Sequence, residues 1–142
     1  MIFPHLGYAE AVYEALVDAG MRPHAYDVTV TGDVDEGGPV GGRELTIRAA
    51  WTPEHRFVKE HLLPHGFRMV WRHSTGWWVT RLLLRDLDLL PVPLAADPER
   101  IGELACDVGM HGLPVHIDGS TIGHWEHAAD LDQALAAWEV ES

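Results

Sequence analysis

The stretch Gly123-His124-Trp125-Glu126-His127 places two imidazoles and a carboxylate within five residues of a chain that holds ten histidines. Zinc takes three or four nitrogen, oxygen or sulfur ligands in tetrahedral reach, so spacing counts for more than number. His124 and His127 stand i, i+3, and His116 and Asp118 lie just upstream on an expected short strand. A metal-dependent enzyme with zinc on His116, His124 and His127 is the sharp reading. The spacing fits neither HExxH nor HxxEH, because only two residues separate the histidines. The bland reading follows from the helix expected after them. Its apolar stripe of Leu131, Leu135 and Trp138, extended backward, puts His124 and His127 on the core side, where an imidazole hydrogen-bonded to a backbone carbonyl is the ordinary outcome.

Other reactive residues are poorly placed for chemistry. His61 and His65 have the i, i+4 spacing of helical ligands, but Pro64 ends the helix between them. Cys106 is the lone cysteine, which excludes an intramolecular disulfide and a multi-cysteine metal site, and nothing marks it as an activated thiolate. Ser120 lacks the glycine two positions before it that a nucleophile elbow requires; Asp118 stands there. Asp86 and Asp88 resemble a carboxylate pair, in a segment that a solvated loop explains more simply.

A second constellation is electrostatic. No acid interrupts residues 67–85, and two β-rich runs there flank His73-Ser74-Thr75-Gly76. Taken as a four-residue hairpin loop, that turn pairs Arg72 with Trp77, Trp71 with Trp78, Val70 with Val79 and Arg68 with Arg81. Alternation then assigns Phe67, Met69, Trp71, Trp78, Leu82 and Leu84 to the core face. The other face carries Arg68, Val70, Arg72, Trp77, Val79 and Arg81, with Arg85 close behind. Arg68 opposite Arg81 is a like-charge pair costing about 0.2–1 kcal/mol unless an anion lies between them. The anion has two sources. One is the chain's own last helix, with Asp130, Asp132, Glu139 and Glu141; the other is an external acidic partner, or a single-stranded nucleic acid stacked on Trp77. Arg68, Arg72, Trp77, Arg81 and Arg85 are therefore the candidate binding residues.

The elements that position these groups follow from periodicity. Ala9, Val12, Tyr13 and Leu16 form a helical stripe over 6–19, stopped by Gly20. Strands are expected at Tyr26–Thr31 and Glu44–Ala49, paired around a long mobile loop at 32–42. Thr52-Pro53 opens a second helix with Phe57, Val58 and Leu62 on its stripe, and Asp97-Pro98 a third with Ile101, Leu104, Ala105 and Val108. A short strand at Leu113–Ile117 and a last helix over 124–139 complete the chain. From residue 43 onward this is the β-α-β-β-α-β order of a ferredoxin-like core. The expected fold is α+β, one domain over 1–142, with a mostly antiparallel sheet of four or five strands and helices packed on it.

Composition bounds the function. The 142 residues are 46% hydrophobic and 23% charged, a globular balance, and no segment reaches the uncharged apolar length of a membrane span. The amino terminus lacks the pattern of a signal peptide, so a reducing, cytoplasmic location is expected. The formal charge of −12 repels nucleic acid and anionic membrane at long range and favours solubility or a basic partner. Nine arginines against one lysine, with no asparagine, suggest a high-GC coding bias. The series GYAEAVYEAL, VWRHSTGWW, and PVP followed by DPERIGELACDVG resembles small uncharacterised α+β domains of actinobacteria and their mobile elements. That resemblance implies an origin and no activity. The expected role is a non-catalytic binding or regulatory module acting through a protein partner, such as an inhibitor, an immunity-type protein or a mobile-element accessory factor, and needing no cofactor. The zinc enzyme and single-strand nucleic-acid binding are the alternatives.

Overall fold

A computed structural model describes residues 3–31, 44–83, 87–115, 117–118 and 122–141. The first helix, α1 (Leu6–Asp18), buries Tyr8, Ala9, Val12, Ala15 and Leu16 on one face. It closes with the Met21 N–H donating to the Leu16 carbonyl at 2.8 Å, a bond that satisfies a carbonyl the helix leaves open. The chain then runs through β1 (Ala25–Thr31), β2 (Glu44–Trp51), β3 (Phe67–Arg72), β4 (Gly76–Arg81) and β5 (Asp88–Leu89), followed by α2 (Pro98–His111) and α3 (Ala128–Glu141). The fold is α+β, with an antiparallel sheet of five strands in the sequential order β1-β2-β3-β4-β5.

The helices lie on one face of that sheet. Leu45, Ile47, Ala49 and Trp51 of β2, Phe67, Met69 and Trp71 of β3, and Trp77 and Val79 of β4 form one core with α1, with Ile101, Leu104, Ala105 and Val108 of α2, and with Leu131 and Leu135 of α3. Its aromatic groups keep their polar atoms satisfied. Trp51 Nε1 donates to the Met21 carbonyl at 2.8 Å, Trp71 Nε1 to the Leu94 carbonyl at 2.8 Å, and Trp77 Nε1 to Tyr8 Oη at 3.0 Å. Tyr8 in turn donates to the Ala96 carbonyl at 2.7 Å. A buried indole or phenol without such a partner would offset part of the burial that makes it valuable.

Several expectations are corrected. The ferredoxin-like order is not observed, because among the described residues no helix links β2 to β3 and no strand follows α2, and the strands pair in sequential order. Residues 53–64 form successive turns rather than a helix. His55 N–H bonds Thr52 O and Val58 N–H bonds His55 O, while Lys59 N–H leaves the local chain to reach Gly109 O at 2.8 Å. Docking on α2 thus takes the donor that would have propagated a helix, and Val58 and Leu63 are buried by the turns. No strand forms over the described part of 113–117, where the Leu113–Pro114 peptide is cis; the fifth strand is Asp88–Leu89 instead. The loop 32–42 lies outside the described residues. Among the described residues, no helix is long and apolar enough to cross a membrane.

His5, just before α1, is fully buried and stacks on Trp71 at 5.9 Å, with Nε2 3.2 Å from the Thr46 carbonyl and Nδ1 without a partner. Burial holds its pKa below the ordinary 6.5, and His55 is lowered for the same reason, with His24 adding to it. The unfolded chain therefore takes up these protons first. Stability is complete above about pH 6.5 and falls as the pH drops below that value. Urea midpoints measured from pH 8 to 5 should show this decline, and His5→Gln should flatten it; an unchanged slope in the variant would exclude His5 as its source.

Candidate functional site

Residues 123–125 of the Gly123–His127 stretch are extended, and Glu126 and His127 form a turn that leads into α3. His124 forms an isolated bridge with Ala96, and Trp125 N–H donates to the Ala95 carbonyl at 2.7 Å. Successive side chains of an extended chain point to opposite sides. Trp125 accordingly turns inward onto Tyr8, at 5.2 Å between ring centroids, and His124 turns outward. Helix α3 starts only at Ala128, so the backward extension of its stripe fails, and His124 and His127 are both exposed rather than core-facing. His127 sits 3.4 Å from Glu126 and 3.7 Å from Asp130. His116 lies outside the described residues, and among those described no group of three histidine, cysteine or acidic side chains has metal-binding geometry.

The other reactive candidates are dispersed. His61 and His65 are exposed on separate turns, Ser120 and Asp86 lie outside the described residues, and Asp88 is exposed on β5. Burial and Asp107 push the Cys106 thiol pKa up, opposite to what a nucleophilic thiolate needs. Thr52 Oγ1 lies 3.2 Å from His24 Nε2 and 3.4 Å from Nδ1. His24 Nδ1 accepts from Thr52 N–H at 3.2 Å, so the neutral ring carries its proton on Nε2 and has no lone pair there to take the hydroxyl proton as a general base would.

The hairpin register differs from the expected one by a residue. Its turn contains three residues, 73–75, closed by Thr75 N–H to Arg72 O, and Gly76 belongs to β4 with φ of +103°. Glycine adopts that conformation freely, so the turn closes one residue earlier than a four-residue loop. Trp71 then pairs with Trp77, Val70 with Trp78, Arg68 with Thr80 and Phe67 with Arg81. A one-residue slip sends every β4 side chain to the opposite face. Trp77 is thus a core residue, only 1% exposed, and Trp78 takes its place on the open face. Arg81 falls on the helix-covered side, half-buried and engaged within the chain, and Arg85 lies outside the described residues. The Arg68–Arg81 repulsion does not exist.

A basic strip remains, with changed membership. Its rows across the sheet are Thr29–Thr46–Arg72–Gly76, Asp27–Arg48–Val70–Trp78–Leu89 and Ala25–Ala50–Arg68–Thr80. Arg48 is the member that hairpin pairing alone does not find. Alternation in ELTIRAAW, with Leu45, Ile47, Ala49 and Trp51 inward, is the signal that places it here. The Arg72 guanidinium lies over the Trp78 ring at 5.9 Å from its centroid, and Trp78 Nε1 donates to Thr75 Oγ1 at 2.7 Å, which ties the indole to the turn. Among the described residues, no carboxylate is in ion-pair reach of Arg48, Arg68 or Arg72. The described acids of helix α3, Asp130, Asp132 and Glu139, do not supply one. Leu131 and Leu135 seat the helix on the covered face, where Glu139 approaches His73 at 3.8 Å and Asp130 approaches His127.

The opposite side of the molecule is acidic. Glu14 and Asp18 of α1, Asp97, Glu99 and Glu103 at the start of α2, and Glu126 line an open cleft of about 710 Å³ with His124 at its rim. Asp97 caps α2 by accepting from Glu99 N–H at 3.1 Å, which gives one of these carboxylates a structural task. No protein-family model, curated protein or solved structure matches this chain.

Proposed function

We propose that this chain is a non-catalytic binding module that acts through a protein partner, engaged at the open face of the sheet. The observation that carries this reading is the group Arg48, Arg68, Arg72 and Trp78, set on a face that no described helix covers and free of ion pairs among the described residues. Arginine and tryptophan are the side chains that most often dominate interface energy. Leu89 continues the strip at the sheet edge, opposite Trp78 and 52% exposed. The formal charge of −12 disfavours nucleic acid as the ligand, and a single aromatic platform is sparse for base stacking. An inhibitor, an immunity-type protein or a mobile-element accessory factor are forms such a module takes, and the lone Cys106 fits a reducing cytoplasm.

Affinity capture from the source cells, with the wild-type chain beside two double variants, tests the reading. A stoichiometric protein partner is expected with the wild type, lost in Arg68→Glu/Arg72→Glu and kept in His124→Ala/His127→Ala. A chain that captures no protein, or whose partner depends on the histidines and not on the arginines, overturns it.

A further inference from the structure

We propose that the occupant of this face is an extended acidic segment of the partner, laid along β3, with two carboxylates four residues apart meeting Arg68 and Arg72. The inference rests on the binding-module reading and adds the chemistry and spacing of what binds.

The register distinguishes the arginines from one another. Arg48 has Asp27 directly opposite on β1, a cross-strand neighbour of the other sign. Arg68 has Ala50 on one side and Thr80 on the other, and Arg72 has Thr46 and Gly76. Glu44, the acid nearest Arg72 along β2, is occupied by the turn, where it accepts from the Ser74 hydroxyl and from Ser74 N–H at 3.3 Å. Arg68 and Arg72 are thus the two guanidiniums of this face whose cross-strand positions hold no acid. Both are half-buried, which raises the value of a carboxylate that reaches them.

Their spacing sets the shape of the ligand. Four residues along a strand span about 13 Å. An extended peptide has the same rise and the same two-residue alternation, so its residues i and i+4 point to one side at that separation. Residue i+2 then falls over Val70, which is 6% exposed and offers a floor without a polar side chain. Trp78 borders this floor on the β4 side and Leu89 lies beyond it. The matching pattern is acid, any, apolar, any, acid. A nucleic-acid strand instead brings a phosphate at every residue; two unopposed arginines neutralise few of these, and the rest meet a chain of charge −12.

The test is an NMR titration of the full-length ¹⁵N-labelled chain at low salt. The probes are a blocked nonapeptide with the core Asp-Gly-Leu-Gly-Asp, a same-composition peptide with adjacent aspartates, and an oligothymidylate. The matched peptide should shift the Arg68, Val70, Arg72 and Trp78 signals and bind about tenfold more tightly than the adjacent-acid peptide. Arg68→Glu and Arg72→Glu should each weaken it about tenfold or more, with signals of the core unmoved. Equal binding of the two peptides overturns the spacing. Oligothymidylate binding there without peptide binding overturns the acidic-segment proposal and the protein-partner reading together. If neither probe binds while arginine-dependent capture of a partner succeeds, the proposal fails and the binding-module reading stands. Concentration-dependent shifts of the same signals without any probe would assign the face to a second copy of the chain and overturn the proposal as well.

Discussion

Trp77→Ala should destabilise the fold by about 3–5 kcal/mol, while Trp78→Ala, one residue along the same strand, should cost about 1 kcal/mol or less. The difference comes from the face each side chain occupies. Trp77 is 1% exposed and lies in the core beside Tyr8, at 6.3 Å between ring centroids. Its indole N–H also donates to the Tyr8 hydroxyl, which is the first link of a chain of bonds ending at the Ala96 carbonyl. Alanine leaves a large cavity and takes a donor away from a buried hydroxyl, two penalties that add. Trp78 is half-buried and bonded to Thr75 within the turn, and its ring bears on Arg72 rather than on the core. Urea unfolding of both variants decides the matter. Equal losses, or a larger loss at Trp78, would restore the four-residue turn and put Trp77 back on the arginine strip. Under the observed register Trp78→Ala should instead keep the fold and weaken ligand binding at the face.

Those two tryptophans also locate what sequence could and could not supply. Amphipathic periodicity predicts α1, α2 and the seat of α3 correctly, because Val12, Ile101, Leu104, Val108, Leu131 and Leu135 each bury on the face their spacing assigns. Alternation finds the strands from β1 to β4 as well. It does not fix how two strands align. That depends on whether Gly76 closes the turn or begins the strand, and the positive φ it adopts is invisible in a residue name. The same limit applies at Thr52-Pro53, a helix-start signal overridden when Lys59 donates to Gly109 of a helix that begins some forty residues later. Around Gly123–His127 the two histidines draw attention, yet Trp125 is the residue the fold uses, because bridge formation between His124 and Ala96 holds residues 123–125 extended. Within the candidate site, Arg68 and Arg72 are legible from β3 alone. Arg48 is legible from the alternation of β2, whereas Trp78 and the exclusion of Arg81 require the hairpin register.

Gly66→Ala should prevent the native fold from accumulating, a loss above about 4 kcal/mol, because the backbone at this position has neither the conformation nor the space for a side chain. Gly66 is buried with φ of +88°, and a Cβ placed there would lie 1.9 Å from the Trp51 carbonyl oxygen and 2.9 Å from its carbon. Those atoms are backbone and cannot rotate away. Trp51 is also fixed on three sides: it ends β2 opposite Phe67, stacks on the Phe67 ring at 4.6 Å and donates its indole N–H to Met21. Gly66 itself is bound at both ends, its N–H to Leu63 O and its carbonyl from Leu82 N–H. Gly76→Ala provides the control. It too has a positive φ, +103°, but nothing lies within 4 Å of its Cβ position. Only the conformational penalty of about 1–3 kcal/mol applies there. Circular dichroism and urea unfolding should therefore show a folded, weakened Gly76→Ala chain and a Gly66→Ala chain without a cooperative transition. Comparable stability in the two would show that β2 and β3 tolerate displacement at Trp51 and Phe67. That displacement would also move Arg48 relative to Arg68 and Arg72, so the alignment of the proposed binding strip depends on the same contact as the stability of the sheet.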